Sequence, residues 1–459
     1  MTSPSSSPRV AVLGGGITGL TAAWHLRRAG LTPIVFESSP RVGGAIGTLR
    51  TNGWLHELGP NSMLENSAEL VAFLDATGLG PRRLFAAPSA AKRYIVRDGQ
   101  PVAMPGSPVS FLTTPLFSLA AKLNLLGEPF RRRSAPDAQE SVADFVTRRL
   151  GREFLDYAVN PFVGGVYAGD PKRLSVRHGF PKLHGLEQEH GSLIRGALAR
   201  RNTSGGPKGR MFSFPDGMEE LPRTLAHVLG DAVRLGAAVQ TVRRREDGWE
   251  IEFAHQGTVQ NERFAAVVSG LPADALSSLR CEGVPRPDRL ASLRDIEHPP
   301  VVSIFTGFRR EAIAHPLDGF GLLVPAVEQG KILGTLFSSS LFTGRAPEGH
   351  VGLTSFVGGT RQPDLAWLPE PALLAVVRGE LDRLLGVRGD PVYVHVQRWP
   401  RAIPQYTMDY QRYQDASAGF EAEAPGFFIG GNARDGISLT YCIESGRRLA
   451  GAVQTFLKP

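Results

Sequence analysis

The 459-residue chain is too long for a single core, and 42% apolar with 21% charged residues excludes a fibrous, coiled-coil or wholly disordered protein. Its formal net charge of +7, from 51 basic and 44 acidic residues, is modest, and no nucleic-acid-binding motif accompanies it. Cys281 and Cys442 are the only cysteines, too few for a metal cage or a disulfide framework, so a reducing, cytoplasmic setting is expected.

The first eight residues, MTSPSSSP, lack the basic and apolar regions of a signal peptide, and no stretch reaches the roughly 18 apolar residues of a membrane span. Residues 9–13, RVAVL, read as a strand buried on both faces. Gly14-Gly15-Gly16 then opens a helix-periodic segment that Gly30 stops, and a second strand, TPIVFE, ends at Glu37. The unit predicts the start of a right-handed parallel fold. A helix is expected over 63–80, and a hairpin over 93–104 turning at Asp98-Gly99. Residues 108–205 read as mainly helical with a Gly-rich break near 161–169, and SGGPKG at 204–209 as a loop. Residues 218–275 return to mixed helix and strand. Four β-rich segments follow between 301 and 360 and predict an antiparallel sheet. The chain closes on strand, loop and helix. The basic runs Arg131–Arg133, Arg200-Arg201 and Arg243–Arg245 read as solvated faces, with attraction to an anionic membrane or a carboxylate-bearing substrate as the sharper alternative.

The pattern Gly14-x-Gly16-x-x-Gly19 falls between a strand and a helix, with Glu37 ending the next strand. Gly14 permits the tight turn, Gly16 lets backbone approach a pyrophosphate, and Gly19 lets the helix pack on the sheet. The helix N-terminus faces the phosphates and Glu37 accepts from ribose hydroxyls. Arg41, placed to neutralise pyrophosphate, precedes Gly43-Gly44, which admit the far end of a long cofactor. No second glycine fingerprint, no Cys-x4-Cys, no His-Glu metal spacing, no G-x-S-x-G and no P-loop occurs.

The spacing E-x-x-x-R-x-G-G resembles the FAD signature of the amine oxidase, phytoene desaturase and protoporphyrinogen oxidase superfamily. The closing segment, with Gly431, Gly436 and Ile437 ahead of a helix, is similar to the same superfamily's flavin-binding motif. Four further segments resemble the protoporphyrinogen/coproporphyrinogen oxidase family: ELGPNS (57–62), NPFVGGVYAGD (160–170), GTLFSSS (334–340) and WPRAIPQY (399–406). The likeness spans residues 9 to about 450.

The resemblance implies an α/β fold with an interleaved Rossmann-type FAD-binding domain (1–88, 208–275 and 396–459), a mainly helical domain (89–207) and an antiparallel-sheet substrate domain (276–395). It implies oxidation of a porphyrinogen by FAD, with molecular oxygen as the electron acceptor. Protoporphyrinogen IX is the leading substrate and coproporphyrinogen III the alternative. An amine oxidase, or a non-enzymatic FAD-binding protein, is more distant; neither cysteine is placed for covalent flavin attachment. Residue by residue, the resemblance assigns Arg93 to a substrate propionate, with Lys92 beside it able to share that role. It assigns Gly165 to a close approach of the macrocycle and Asn61 to the reacting carbon, against a plain turn Asn. Gly59, Val239 and Trp399 join the cofactor-binding set, Val239 through its backbone at the adenine. Asp435 and Tyr441 depart from the family pattern. The helical stretch corresponds to the family's membrane-associated region. Segment 110–130 is amphipathic enough to lie on a bilayer, though Lys122 and Glu128 interrupt it and a core helix fits as well. Peripheral contact with the inner face of the cell membrane and a homodimer are both left open.

Overall fold

The computed structural model describes residues 7–203 and 209–458, so most of the polar start and of the expected loop at 204–209 lies outside the described residues. Five parallel strands form the first sheet, in the order Val233–Leu235, Thr32–Glu37, Arg9–Leu13, Ala266–Ser269, Phe427–Ile429. The strand Arg9–Leu13 is central and almost wholly buried, as its unbroken apolar run requires. The first helix, Ile17–Arg28, packs against the closing helix, Leu439–Leu457. Gly446 makes that contact possible, because a Cβ there would lie 2.6 Å from the Thr18 carbonyl oxygen.

A four-stranded sheet (Thr258–Phe264, Gly248–His255, Ala238–Arg245, Arg280–Glu282) abuts the first. The third sheet has seven strands, in the order Tyr393–Trp399, Val301–Arg309, His350–Gly358, Gly334–Leu336, Gly319–Leu323, Lys92–Arg97, Gln100–Ala103. All its pairings are antiparallel except that of Lys92–Arg97 with Gly319–Leu323. The hairpin turns at Asp98 and Gly99, both at positive φ (52° and 73°), the geometry that a two-residue hairpin needs. It pairs into this sheet, although its place in the chain adjoins the helices.

One face of the seven-stranded sheet buries Tyr94, Val96, Leu322 and Ile304 against the helix Glu370–Leu385. Residues directly opposite share a face, so the other face carries Arg93, Leu323, Leu336 and Phe356, with Gly321 and Gly334 between them. Helices between 108 and 203 lie beyond it.

Two expected elements differ. Residues 63–65 form a strand paired with Arg210–Ser213, and the helix begins only at Ala68, where the Ser67 hydroxyl accepts the Leu70 N–H. The Gly-rich segment near 161–169 is mostly helix, Asn160–Tyr167, entered through a π turn at Leu155–Val159 and stopped by Ala168 in the left-handed region. Its glycines serve close packing, which a propensity reading takes for a break.

Candidate functional site

The glycine turn and its neighbours enclose a cleft of about 720 Å³. Gly14 has φ 94°, and its N–H donates to the Phe36 carbonyl across the strand ends. A Cβ on Gly19 would overlap the Gly14 carbonyl oxygen, so helix and turn touch as the fingerprint requires. Gly16 caps the helix with extended backbone, φ −72° and ψ 174°, and a Cβ there would meet nothing within 4 Å. No side chain caps this helix and its first turn has no acidic residue. Its leading N–H groups therefore reach the cleft without a side-chain cap among the described residues. The donor set fits a pyrophosphate.

Glu37 lines the cleft, its carboxylate already accepting from the Gly15 N–H at 2.7 Å and the Ser39 N–H at 2.8 Å. Val239 lines it too. It sits beside a bulge, since pairing with the strand Gly248–His255 slips between Val239 and Thr241. The strand Arg280–Glu282 joins on the other side only from Thr241 onward, which frees one edge of the Val239 backbone for a ligand. Gly43, Gly44, Trp399, Gly431 and Ile437 complete the expected lining. Trp399 is fixed by its indole N–H, which donates to the Leu58 carbonyl at 2.9 Å.

Three expected cofactor residues stand behind the wall. Arg41 spends its guanidinium on its own loop, donating to the carbonyls of Val42 (3.1 Å), Ile46 (2.8 Å) and Gly44 (2.8 Å). Its observed work is to hold the loop 42–46 in shape. Gly59 allows its loop to lie on Ala45, whose carbonyl oxygen a Cβ would overlap. Gly436, at φ 128°, packs on the Tyr441 ring and lines a neighbouring cavity.

Asp435, the departure from the family pattern, organises the loop before the closing helix. It accepts from the Gly431 N–H (3.2 Å) and the Ser445 hydroxyl (2.5 Å) and pairs with Arg448 at 2.9 Å. The Tyr406 and Tyr410 hydroxyls donate to the carbonyls of Asn432 and Ala433, so the whole loop hangs on side chains. Cys442 also lines the cleft, which the sequence did not signal; burial pushes its thiol up to about 11, and it stays protonated.

On the substrate side, Arg93 is exposed and has no carboxylate partner among the described residues; its guanidinium lies 5.5 Å from the Phe320 ring. Lys92 is paired with Asp318, which also accepts from the Tyr94 hydroxyl at 2.6 Å. That pairing gives Lys92 a carboxylate of its own, whereas Arg93 has none among the described residues. Gly165 faces Leu323, whose side chain a Cβ would overlap, so the helix rests directly on the apolar sheet face. Asn61 donates its amide to the Gly59 carbonyl at 3.0 Å, a turn-forming bond.

Sequence reasoning missed the apolar part of that face, Leu323, Leu336 and Phe356, all half-buried; only the strand alternation hints at them. It also missed the buried pair Glu57–Arg345, 3.6 Å apart with each side chain 3% exposed. Burial pushes the Glu57 carboxyl up to about 7, while the Thr48 hydroxyl, Arg345 and the Met218 N–H pull it back. The pair anchors the strand that leads into Gly59 and Asn61.

The sequence profile described as flavin containing amine oxidoreductase matches residues 17–454. The chain is 37% identical to protoporphyrinogen oxidase 2, chloroplastic/mitochondrial, of Arabidopsis thaliana, over 99% of this chain and 95% of that one. It is 25% identical to the coproporphyrinogen III oxidase of Bacillus subtilis (strain 168), over 98% of both chains. Among solved structures, a provisionally assigned protoporphyrinogen oxidase of Exiguobacterium sp. 255-15 matches with a TM-score of 0.79 at 23% identity, covering 98% of this chain and 100% of that one.

Proposed function

Because the chain belongs to the flavin-containing amine oxidoreductases, and within them to the protoporphyrinogen/coproporphyrinogen oxidase family, we propose that it oxidises protoporphyrinogen IX to protoporphyrin IX. It is an FAD-dependent oxidase. The carrying observation is the sheet face that bears Arg93 with no ion-pair partner among the described residues, beside a helix held close to it at Gly165. The planar guanidinium suits a propionate carboxylate, and the half-buried Leu336 and Phe356 on the same face suit the apolar body of a macrocycle.

When bound, FAD supplies two-electron acceptance by hydride transfer, used three times per macrocycle, with molecular oxygen as the final acceptor. Gly14, Gly16, Gly43, Gly44 and Gly431 give it room, Glu37 takes its ribose hydroxyls and the Val239 backbone its adenine. Gly19, Gly59 and Gly436 keep that wall in shape, and Arg41 does the same for its loop. Trp399 and Ile437 close the cleft. The residues near the substrate position rather than carry protons, Asn61 orienting the reacting carbon.

Aerobic turnover with protoporphyrinogen IX and coproporphyrinogen III in parallel, followed by porphyrin fluorescence, tests the reading. A preference for the second makes the protein a coproporphyrinogen III oxidase. An FAD-loaded protein that oxidises neither overturns the proposal, and amines are tried next. Arg93→Ala is expected to raise KM for the porphyrinogen by roughly ten- to a hundredfold, the loss of one charge-assisted carboxylate contact. Steady-state kinetics check this, and an unchanged KM removes Arg93 from the substrate site.

Peripheral membrane contact belongs to the same reading. No helix among the described residues is long and apolar enough to cross a membrane. The short helices Pro108–Thr113 and Leu119–Leu126, with the turn Glu128–Phe130, nevertheless expose Val109, Leu112, Leu119, Leu123, Leu126 and Phe130, the last at 84%. Such an apolar patch beside Arg131–Arg133 suits the inner face of the cell membrane. The protein is expected to pellet with anionic vesicles at low salt, and Leu119→Glu/Leu123→Glu to stay in the supernatant; a soluble wild type ends this part of the reading. A homodimer is included in the proposal, with sedimentation as its check.

A further inference from the structure

Beside the cofactor cleft lies a second cavity, of about 440 Å³, between the helix Asn160–Tyr167, the helix Pro181–His190 and the loop 434–438. Ile437 is a wall of both. We infer that this cavity is an outer docking pole for the carboxylates of a flat tetrapyrrole, with Arg177 and Lys182 as its cations; the inference rests on the porphyrinogen reading above.

Place comes first. Phe162 and Val166 line the cavity and are 45% and 40% exposed, unusual for apolar side chains on a helix packed against a sheet. With Gly165 they fall at i, i+3 and i+4 and share one helix face. Gly165 in turn rests on Leu323, on the sheet face that carries Arg93. The helix face of Phe162, Gly165 and Val166 therefore borders both the second cavity and the sheet face that carries Arg93.

Charge comes next. Four charged side chains besides His178 line the cavity. Arg434 is paired with Glu421 at 2.7 Å and Asp435 with Arg448 at 2.9 Å, so these two are spent. Arg177 and Lys182 are exposed and have no ion pair among the described residues; the Lys182 ammonium lies 5.6 Å from the centre of the Tyr441 ring. Burial and the neighbouring Arg177 hold His178 below the usual imidazole range, and near neutral pH it adds no charge. The cavity thus presents two cations that have no ion pair among the described residues, beside the Tyr441 ring.

A porphyrinogen carries more than one propionate, and Arg93 can clasp only one bidentately. The remaining carboxylates need partners, and coproporphyrinogen III has two more of them than protoporphyrinogen IX. The cations at this cavity supply that second pole, and they raise the local concentration of the anionic substrate at the mouth.

The test is the double variant Arg177→Ala/Lys182→Ala in the FAD-loaded, full-length protein. KM is expected to rise roughly three- to tenfold, more for coproporphyrinogen III than for protoporphyrinogen IX, with the effect on KM rather than on kcat. Quenching of coproporphyrin III fluorescence should weaken by a similar factor, and Arg177→Lys/Lys182→Arg should restore both. If KM and the quenching curve stay within twofold of wild type while Arg93→Ala shifts them, the docking pole is overturned and the porphyrinogen reading stands. If wild type oxidises neither porphyrinogen, that reading fails, and the quenching titration still decides the cavity: equal curves for wild type and double variant overturn it.

Discussion

The Gly16→Val protein is expected to fold and to be purified colourless. Gly16 adopts φ −72° and ψ 174°, which any residue tolerates, and a Cβ there meets no protein atom within 4 Å. At the Cβ position the chain leaves open space, and the poorer cap that valine makes costs about 1 kcal/mol at most. The open space is the place where backbone must approach the pyrophosphate, at the uncapped start of the helix. FAD affinity should fall by more than about a hundredfold, some 2.7 kcal/mol, and turnover with it. The flavin-to-protein absorbance ratio and the thermal midpoint of the apoprotein separate the two effects. Gly19→Ala is the contrast, because its Cβ collides with the Gly14 carbonyl and the fold itself should suffer. A Gly16→Val protein that retains stoichiometric FAD would show that the pyrophosphate does not sit at this turn.

Arg149→Leu is expected to cost about 3–5 kcal/mol of stability, the penalty for stranding a buried charge. Arg149 and Glu128 are ion-paired with both side chains fully buried, and Arg149 also reaches Glu187 at 3.4 Å. Its guanidinium donates to the carbonyls of Arg131 and Gly191 as well, tying together the turns that connect the helices of this region. Glu128 keeps the Ser192 hydroxyl and the N–H groups of Leu193 and Ile194, which is why the cost stays within this range. Glu128→Gln in the same background should recover part of the loss. Burial alone would raise the Glu128 carboxyl, but Ser192, the Leu193 N–H and Arg149 together hold it below the usual range; Arg148 and Ser134 do the same for buried Glu187. Groups held low in the folded state stabilise above their unfolded values and lose that contribution as pH falls through the folded ones. Wild-type stability should therefore decline on acidification, and the Arg149→Leu protein should show a shallower slope. Denaturant titrations at several pH values check both, and equal slopes would mean that the pair is solvated.

The Rossmann unit was readable because its signals are local. Strand, glycines, helix and Glu37 follow one another, and each glycine has a steric reason visible in its spacing. The hairpin at Asp98-Gly99 was readable for the same reason. Its destination was not, since Arg93 pairs with Gly321 from a segment more than two hundred residues away and no local pattern encodes a partner at that distance. The apolar face of Leu323, Leu336 and Phe356 was missed with it. Arg41 shows another limit: residue type and spacing suggest a cation for phosphate, but its hydrogen bonds to three carbonyls of its own loop arise only from the folded turn. Glu57 and Arg345 are far apart in sequence, and their pairing arises only from tertiary packing.

The parallel sheet sets Ala266–Ser269 between the strand at residue 9 and the one at residue 427, and the cleft takes walls from both ends of the chain. During synthesis at roughly 5–20 residues per second, one edge of that strand waits about ten to thirty seconds for its partner. Until then it presents unpaired backbone, a template for mispairing with another nascent chain. The cofactor cleft lacks its wall of Gly431, Asn432, Ile437, Leu439 and Cys442 in that interval, so the last stretch of chain completes the sheet edge and the cleft together.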